Sequence, residues 1–319
     1  MSRVSRLFLF VIVAGVMCVL GSSAAHAYDW PRKLNKGDKG KHVQALQVRV
    51  AGWFPSWNKR RFGIDGSFGD QTAEAVRRFE KNYGIRNPNG VASGSTFKVL
   101  NRLADPDGST ENFDWSEFRQ HSNSSCSAQA NAYAGTLKGG PVSAARTERN
   151  VRRLMWRLEA LRKKAGGHAV GINSGFRSIP YNACIGGASA SQHLYGTAAD
   201  NRIAAISNSK ARRLARGSQF SGVICYATTT HNHLDIRVEN KALSYAQNWW
   251  WPRKDSAGRE LDDAGRVCWG ETSTSVASPS RTLSSVRSAI PGVGSLVPST
   301  EEVQAFAEAG EPDDLLGAD

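Results

Sequence analysis

The sequence lacks several features that define other classes of protein. Its longest apolar run, Leu7–Leu20, is shorter than the roughly 20 residues that a membrane-spanning helix needs, so we expect no stable membrane insertion. No two of its five cysteines have Cys-x-x-Cys spacing, which argues against a zinc site built from thiolates. After Arg287 it has no lysine or arginine, so the excess of positive charge lies in the residues before that point.

The N-terminus has the pattern of a secretory signal peptide. Arg3 and Arg6 precede the short apolar run, and small residues follow it. We therefore expect residues 1–27 to be removed and the mature protein to be secreted, either extracellular or associated with the cell wall. Cys18 admits a lipid anchor as the alternative, although residues 15–17, Gly-Val-Met, do not fit a lipoprotein signal.

Four cysteines follow the signal peptide. An even number in an exported protein favours disulfides over free buried thiols. Two disulfides are therefore expected, with three possible pairings among Cys126, Cys184, Cys225 and Cys268.

The formal net charge of +13 is distributed unevenly along the chain. Residues 301–319 hold seven carboxylates and no basic residue. A basic exported protein collects at polyanions through the summed field of its charges, which makes anionic wall polymers candidate partners. Solvated basic faces without a partner are the alternative. A nucleic-acid partner is not expected, because nothing beyond charge supports one.

Residues 34–104 have the periodicity of three short helices joined by glycine-containing turns. Apolar and small residues recur at helical spacing in the first two segments, at Val43, Leu46, Val50, Thr72, Ala75, Val76 and Phe79. Asp70 is expected to cap the second helix and Gly84 to end it. A third helix is predicted for "GSTFKVLNRL", after the turn-rich segment "NPNGVASG".

The ordered segments "LNKGDKGKHVQALQ", "FGIDGSFGDQTAEAVRRFEKNYGI" and "NGVASGSTFKVL" resemble the peptidoglycan-binding domain found at the ends of many bacterial wall hydrolases. The most specific part of the resemblance is Asp65-Gly66-x-Phe68-Gly69, followed by the apolar positions of the second helix. The resemblance implies a three-helix module over residues 28–104 that holds an enzyme on peptidoglycan. A helical core without a ligand is the alternative interpretation.

The rest of the chain divides by composition. Residues 105–113 have the composition of a linker, and a second domain is predicted over residues 114–270. Residues 271–319 are first rich in serine, threonine and proline and then acidic, and they lack the apolar periodicity of a core. They are predicted to form a disordered acidic tail.

The second domain contains one clear helix and several strand-like runs. The helix is "TERNVRRLMWRLEALRKKAGG", with an apolar stripe from Val151 to Leu161. The strand-like runs are "AVGINSGF", "SGVICYATT" and "HNHLDIRVE". In the last run His233, Asp235 and Arg237 alternate with apolar residues, so one face is expected to be buried and the other to carry polar chemistry.

Half of the six histidines that follow the signal peptide lie in two short segments of this domain. His231 and His233 are two residues apart, and alternate residues of a strand share a face. If His193 and Asp200 approach that face, three imidazoles and a carboxylate meet there. Nitrogen and carboxylate oxygen without thiolate are the donors that a catalytic zinc ion accepts, usually through three protein ligands and one open position. A pair of strand histidines with a structural role is the alternative.

The longer segment "GINSGFRSIPYNACIGGASASQHLYGTAADNRI", followed by "HNHLDIR", resembles the zinc D-alanyl-D-alanine carboxypeptidase family, which shares its fold with lysostaphin-type enzymes, vancomycin-resistance dipeptidases and Hedgehog domains. The resemblance implies an α+β domain with an antiparallel sheet flanked by helices. It also implies that His193, Asp200 and His233 are zinc ligands and that His231 lies beside the metal-bound water or the oxyanion. Arg177 would bind the carboxylate of the substrate bidentately, with a surface salt bridge as its alternative.

One position departs from that family. Its members usually carry an acidic residue three positions before the last zinc histidine, and here that position is Thr230. A threonine hydroxyl is too weak a base to take a proton from water at neutral pH. Asp235 is the nearest carboxylate in sequence and the candidate base, unless His231 has that role or turnover is weak. Asp235 has a second interpretation as a group that orients His233.

The tryptophans of "WWWP", residues 249–252, are the other notable cluster. Their faces suit sugar rings, but packing onto the core of their own domain is the favoured interpretation.

Together these patterns predict a secreted zinc D-alanyl-D-alanine carboxypeptidase that hydrolyses peptidoglycan stem peptides. A cross-link endopeptidase on the same scaffold is the alternative within enzymes, and a zinc-containing wall-binding protein without catalysis is the alternative outside them. The expected cofactor is zinc, and the expected partners are the stem peptides and glycan of peptidoglycan.

Overall fold

The computed structural model describes residues 28–119, 126, 135–137, 140–239 and 248–271. The predicted signal peptide and the tail from residue 272 onward lie outside the described residues. No helix in the described part of the chain combines the length and the apolar character that a membrane span requires.

The N-terminal unit contains the three predicted helices: α1 (Lys41–Val50), α2 (Asp70–Asn82) and α3 (Gly94–Arg102). The residues at helical spacing form its core, which includes Val43, Leu46, Val50, Ala75, Val76, Phe79, Phe97 and Leu100. Gly84 follows α2 in the left-handed conformation, as predicted for a residue that ends a helix. Asp70 is not the cap, because Gly69 precedes the helix and Asp70 lies in its first turn, where a negative charge favours the helix dipole.

The second unit is a four-stranded antiparallel sheet with helices packed against it, which confirms the α+β class. The strand order is β3-β4-β6-β5, and all neighbours are antiparallel. The strands are β3 (Val170–Ser174), β4 (Ala198–Ile203), β5 (Gly222–Ile224) and β6 (Asn232–Asp235). The helices are α4 (Ala144–Lys164), α5 (Ile179–Cys184) and α6 (Asn208–Arg216). Two short hairpins pair β1 (Gly135–Leu137) with β2 (Gly140–Val142) and β7 (Arg253–Lys254) with β8 (Glu260–Leu261).

Strand β6 is shorter than the sequence predicted, and both of its faces are buried. It ends at Asp235, and the following residues Arg237–Glu239 form a turn of 3-10 helix. It lies inside the sheet, so Leu234 packs in the core while His233 and Asp235 on the opposite face are also buried. The polar face is therefore an enclosed site and not a solvated surface. His231 precedes the strand.

Helix α4 belongs to both cores. Val151, Leu154 and Leu158 pack in the core of the second unit. Trp156 and Ala160, on another side of the same helix, pack in the core of the N-terminal unit. A helix that is apolar on more than one side is buried between neighbouring layers. The two units therefore share one structural element.

Two cations of α4, the buried Arg157 and the half-buried Lys164, reinforce this contact. Arg157 donates to the carbonyl of Val48 at 3.2 Å. Lys164 donates to the carbonyl of Gly52 at 2.7 Å and to that of Gly217, at the end of α6, at 2.8 Å. Burial and nearby arginines lower the pKa of Lys164 to about 7. These hydrogen bonds satisfy buried backbone carbonyls from both units.

The segment predicted to be a linker, residues 105–113, is folded against α4. Thr110 and Phe113 are buried. The backbone N–H and the side-chain amide of Asn112 each donate to the carboxylate of Glu159 at 3.0 Å.

At the other end of the second unit, the carboxylate of Glu271, the first residue of the predicted tail, pairs with Arg212 of α6.

We predict that Gly52→Ala weakens the contact between the two units. A Cβ atom at Gly52 would lie 2.6 Å from the Cβ of Ala160, and backbone atoms of α4 are close behind it. Overpacking of this kind typically costs about 1–3 kcal/mol, so urea unfolding should shift to lower denaturant concentration. Gly94→Ala is the matched control, because nothing lies within 4 Å of its added Cβ at the start of α3. Equal stability of the two variants would contradict the close approach.

Candidate metal centre

His193 lies on a single turn of 3-10 helix, Gln192–Tyr195, that neighbouring motif residues define. The hydroxyl of Ser191 accepts a hydrogen bond from the backbone N–H of His193 at 3.4 Å. Gly196 ends the turn in the left-handed conformation, with φ 68°. A Cβ atom there would lie 2.9 Å from Thr147 of α4, so glycine is needed for space as well as for conformation. Ser191 and Gly196 thus place the turn that carries His193 close to α4.

Asp200 and His233 are directly opposite each other on neighbouring strands. The register of β4 and β6 pairs Asp200 with His233 and Ala198 with Asp235. Opposite residues of an antiparallel pair have Cβ atoms about 4.5–5.5 Å apart, so their side chains meet on one face. Strand β4 was not predicted from the sequence, because its small residues carry little strand signal.

The outward-facing nitrogens of both histidines are occupied. Nδ1–H of His193 donates to the carbonyl oxygen of Gly175 at 2.6 Å, and Nε2–H of His233 donates to Oδ2 of Asp235 at 3.0 Å. The carbonyl of Gly175 assigns the tautomer of His193, whose Nε2 therefore carries a lone pair. Nδ1 of His233 lies 3.1 Å from Oδ1 of Asp200 and carries a lone pair when that ring is neutral.

Three ligand atoms form a small triangle. Nε2 of His193 lies 3.0 Å from Nδ1 of His233 and 3.4 Å from Oδ1 of Asp200, and the third side of the triangle is 3.1 Å. All three side chains are buried, and within the described ranges they are the one group of three or more suited to a metal ion. Converging lone pairs repel unless a proton or a cation lies between them.

The donor set fits zinc. Zinc binds histidine nitrogen at about 2.0–2.1 Å in tetrahedral sites, which places neighbouring ligand atoms about 3.3 Å apart. The sides of the triangle, 3.0 to 3.4 Å, match that spacing. The sequence predicted His193, Asp200 and His233 as the ligands, and the structure brings these three together.

The charges of the centre shift the pKa values of its members. Burial alone would raise the pKa of Asp200, but His193 and His233 hold it well below its usual value. Burial lowers the pKa of His193 and favours its neutral form. Burial also acts to lower the pKa of His233, but hydrogen bonds to Asp200 and Asp235 raise it to about 9. A metal ion at His233 displaces a proton, so affinity for zinc rises with pH.

Asp235 lies on the far side of His233 from the triangle and is fully buried. Its Oδ2 accepts from His233, and Oδ1 accepts from the backbone N–H of Arg237 at 2.9 Å. Burial acts to raise its pKa, but Arg237 and His233 hold the pKa far below its usual value. A Cβ atom at Gly222 would lie 2.0 Å from this carboxylate, so the glycine makes room for it. Both oxygens are engaged, and the geometry fits the interpretation that Asp235 orients His233.

Arg177 is paired with a predicted ligand. Its Nη2 bonds Oδ2 of Asp200 at 2.6 Å, and its Nε donates to the hydroxyl of Ser174 at 2.8 Å. The side chain is 14% exposed. Its Nη1 has no hydrogen bond to a described residue. Two nitrogens of the guanidinium that was predicted to bind a substrate carboxylate are therefore already hydrogen-bonded. Only Nη1 is left for a ligand.

His231 is half-buried beside the triangle. Its ring packs edge-on against that of Tyr226, with centroids 5.3 Å apart. Burial lowers the pKa of His231; the charge of Asp200 opposes that shift, and those of His233 and Arg177 add to it. His231 thus lies in the field of the centre without a hydrogen bond to it. Because it precedes β6, its position does not follow from strand alternation.

Among the residues that the structure describes, no carboxylate takes the place of the missing acid at Thr230. The carbonyl of Thr230 accepts from the side chain of Asn208 at 2.9 Å, and its side chain carries only a hydroxyl. Asp235 faces away from the triangle, and Asp200 is one of its three corners. Among the described residues, His231 is the neutral nitrogen base nearest in sequence to the departure.

Sequence reasoning assigned no role to Tyr226 or Arg237. Arg237 holds Asp235, and its place in the polar alternation of "HLDIR" was a usable signal. Tyr226 packs on His231 and lies in the field of Asp200, and its only sequence signal is the adjacent Cys225.

The tryptophan cluster divides between the two interpretations. Trp251 packs against the core, and its indole donates to the carbonyl of Phe220 at 3.1 Å. Trp250 is 48% exposed, and its indole donates to Asp263 at 3.0 Å. One ring follows the favoured core interpretation, and another presents a face to solvent.

The prediction of two disulfides is confirmed. Of the three possible pairings, the structure contains Cys126–Cys184 and Cys225–Cys268, with Cα atoms 5.9 Å and 5.6 Å apart. The first ties the segment before α4 to α5. The second ties the end of β5 to the C-terminal hairpin.

Two family descriptions match the chain. The family Peptidase M15 matches residues 127–235, and the family Putative peptidoglycan binding domain matches residues 40–100. The first range contains every predicted zinc ligand, and the second contains α1, α2 and most of α3.

The chain is also similar to individual proteins. The chain is 36% identical over 209 residues to a zinc D-Ala-D-Ala carboxypeptidase of Streptomyces albus G, an alignment that covers 66% of this chain and 71% of that protein. It is 39% identical over 67 residues to a probable N-acetylmuramoyl-L-alanine amidase of Bacillus licheniformis, covering 21% of this chain and 18% of the amidase. A peptidoglycan-binding protein from Clostridioides difficile, solved with glutamine hydroxamate, is 36% identical over 24% of this chain and 45% of its own, with a TM-score of 0.20.

We predict that His193→Ala and His233→Ala each lose most of their bound zinc, because each removes one corner of the triangle. The loss should exceed the roughly 10–100-fold drop in affinity that is typical when a group behind a ligand is removed. The loss is measured as the zinc content of each variant after it has been loaded with zinc and passed through gel filtration. The control is His168→Ala, at an exposed position away from the centre. Full zinc retention by either ligand variant would remove the proposed centre.

We predict that Asp235→Asn weakens zinc binding about 10–100-fold, the usual effect of losing the carboxylate behind a histidine ligand. The amide keeps the size of the side chain but removes the charge that orients the ring of His233. Competition with a chelator of known affinity measures the change. Asp263→Asn, which changes an exposed carboxylate, should bind zinc like the unaltered protein. An unchanged affinity for Asp235→Asn would show that His233 does not depend on this partner.

Proposed function

The chain belongs to the peptidase M15 family of zinc metallopeptidases, and on this premise we propose that it is a secreted D-alanyl-D-alanine carboxypeptidase that trims peptidoglycan stem peptides. The observation that carries the proposal is the buried triangle of two imidazole nitrogens and a carboxylate oxygen, with spacing that suits one zinc ion. The fold, the disulfides and the peptidoglycan-binding module are all consistent with a protein that acts on the cell wall.

The ligand residues are His193, Asp200 and His233. Zinc held there supplies a Lewis acid for the scissile carbonyl and makes hydroxide available near neutral pH. Gly175 and Asp235 hold the two imidazoles in the tautomers that direct lone pairs inward. The residues around the ligands thus prepare the site before a metal or a substrate arrives.

Arg177 is proposed to bind the terminal carboxylate of the stem peptide through Nη1. Ser174 and Asp200 hold the guanidinium plane by its other two nitrogens, so little side-chain freedom is lost when a ligand binds. The contact is expected through one nitrogen and not through the bidentate fork. Neutralisation of Asp200 by Arg177 also limits how strongly that ligand attracts the metal.

His231 is proposed to accept the proton of the attacking water. The chain has no carboxylate at Thr230 for this task, and both oxygens of Asp235 are engaged on the other side of His233. Burial lowers the pKa of His231, which keeps its ring neutral at neutral pH. A neutral imidazole accepts a proton and then delivers it to the leaving amine.

The N-terminal unit is proposed to hold the enzyme on the wall. Its three helices and core match the peptidoglycan-binding family over residues 40–100. Helix α4 is shared by both cores, so the binding module is expected to move with the peptidase as one body. Anionic wall polymers remain proposed partners of the basic surface. Removal of residues 1–27 during export is part of the same proposal.

We predict that the zinc-loaded protein releases D-alanine from a stem pentapeptide, measured by a coupled assay for free D-alanine. His231→Ala should retain zinc and lose about 10²–10³ in kcat, the usual range for removal of a polar group that acts on the transition state. His168→Ala should keep full activity.

The same assay distinguishes the alternatives. Activity on cross-linked muropeptide dimers and none on the pentapeptide would replace the carboxypeptidase with an endopeptidase. No turnover of either substrate by a zinc-loaded sample would favour a wall-binding protein without catalysis.

A further inference from the structure

We propose that Tyr226 is a catalytic residue whose phenol donates a hydrogen bond to the carbonyl oxygen of the scissile peptide bond. The inference rests on the proposed peptidase function and adds an oxyanion donor that the sequence motifs do not contain. Four observations lead to it: the anchoring of Tyr226, the position of its ring, the state of its hydroxyl and the shortage of other donors.

The backbone of Tyr226 is anchored on both sides. Cys225 forms a disulfide with Cys268, and the backbone N–H of Trp269 donates to the carbonyl of Tyr226 at 2.8 Å. The residue lies just past the end of β5, which pairs directly with β6. The disulfide-closed C-terminal segment therefore fixes where the tyrosine projects.

The ring of Tyr226 packs against His231, two residues before the predicted ligand His233. The two rings meet edge-on, with an interplanar angle of 64° and centroids 5.3 Å apart. The charges of Asp200, a corner of the ligand triangle, and of Arg177, the proposed substrate-binding residue, also act on the pKa of the phenol. Tyr226 therefore borders His231 and lies in the field of the centre.

The hydroxyl of Tyr226 has no hydrogen-bond partner in the part of the chain that the structure describes. The residue is half-buried, and a tyrosine in such a place normally finds a partner for its O–H. Burial, reinforced by the negative charge of Asp200, raises the pKa of the phenol above its usual value, so the phenol stays a donor near neutral pH. A substrate carbonyl oxygen that gains negative charge would satisfy it.

Few other donors face this position. Two of the guanidinium nitrogens of Arg177 already donate hydrogen bonds to Asp200 and Ser174. His231 is assigned to the attacking water, and Thr230 replaces the acid of the family. A donor aimed at the developing oxyanion is the usual complement to a metal in acyl-transfer chemistry.

In the proposed step, addition of water precedes the loss of D-alanine. The oxygen of water adds to the carbonyl carbon, and His231 takes one of its protons. The electron pair of the C=O bond moves to the carbonyl oxygen, where the O–H of Tyr226 bonds it and keeps its own proton. As the C=O bond re-forms, the C–N bond breaks, and the amine of the leaving D-alanine takes the proton from His231.

The test compares Tyr226→Phe with the unaltered full-length, zinc-loaded protein. Removal of one oxyanion donor should lower kcat on the stem pentapeptide about 10²–10³-fold. KM should change less than about 3-fold, because the hydrogen bond forms mainly in the transition state. Zinc content and thermal midpoint should stay the same. Tyr83→Phe, which removes a hydroxyl from the N-terminal core, is the matched control and should retain full kcat.

A second readout separates catalysis from structure. A phosphinate analogue of the D-alanyl-D-alanine tetrahedral intermediate should bind Tyr226→Phe more weakly by about the same factor as kcat falls. Product D-alanine should inhibit both proteins equally. Tyr226→Phe could have a lower thermal midpoint than Tyr83→Phe. In that case the two variants are compared by the affinity of their folded fraction for the phosphinate, and not by kcat. Equal kcat and equal phosphinate affinity in the two phenylalanine variants would overturn the role of Tyr226.

These experiments can reject the proposed function and the role of Tyr226 independently of each other. If the unaltered protein cleaves only cross-linked dimers, the carboxypeptidase assignment fails, and the comparison of variants is made on the dimer. If it cleaves both substrates and Tyr226→Phe is as fast as Tyr83→Phe, only the role of Tyr226 fails. If it cleaves neither substrate and does not bind the phosphinate, both are overturned.

Discussion

Three lone pairs meet at one point in this protein because each side chain that carries one is held from behind. The carbonyl of Gly175 takes the outer N–H of His193, Asp235 takes that of His233, and Arg177 takes the outer oxygen of Asp200. Without these partners each imidazole could turn its other nitrogen inward, and the carboxylate could rotate away. The geometry of the centre therefore depends on a ring of outer hydrogen bonds as well as on its three ligand residues.

That outer ring depends in turn on close packing. Gly222 leaves space for the carboxylate of Asp235, Gly196 lets the histidine turn approach α4, and Gly175 approaches the backbone of Phe118, where a Cβ atom would lie within 2.5 Å. Interiors at native density transmit the position of one element to the next. Helix α4 extends this packing into the N-terminal core, so the module that matches wall-binding domains and the module that matches peptidases are packed on a common helix.

The departure at Thr230 changes how the chemistry is distributed. In the family pattern an acid three residues before the last ligand handles the proton. Here the neighbourhood of that position contains His231 and, packed on it, Tyr226. In the proposed mechanism an imidazole accepts the proton and a phenol bonds the oxyanion, so that two residues share the work around the metal. The disulfide between Cys225 and Cys268 holds the segment that carries this phenol.

The sequence alone determined the three helices of the N-terminal unit, because their apolar periodicity is local, and its resemblance to a known family predicted His193, Asp200 and His233 as the three side chains that come together. It did not determine strand β4, the burial of both faces of β6 or the task of Asp235, since each of these depends on which strands become neighbours. The partners of Arg177, the choice among three disulfide pairings and the approach of Tyr226 to His231 were likewise decided only by the tertiary structure. The physical reason is that local spacing sets which side chains share a face. The contacts that orient a side chain come from residues far away in the chain, and folding alone brings them within hydrogen-bonding distance.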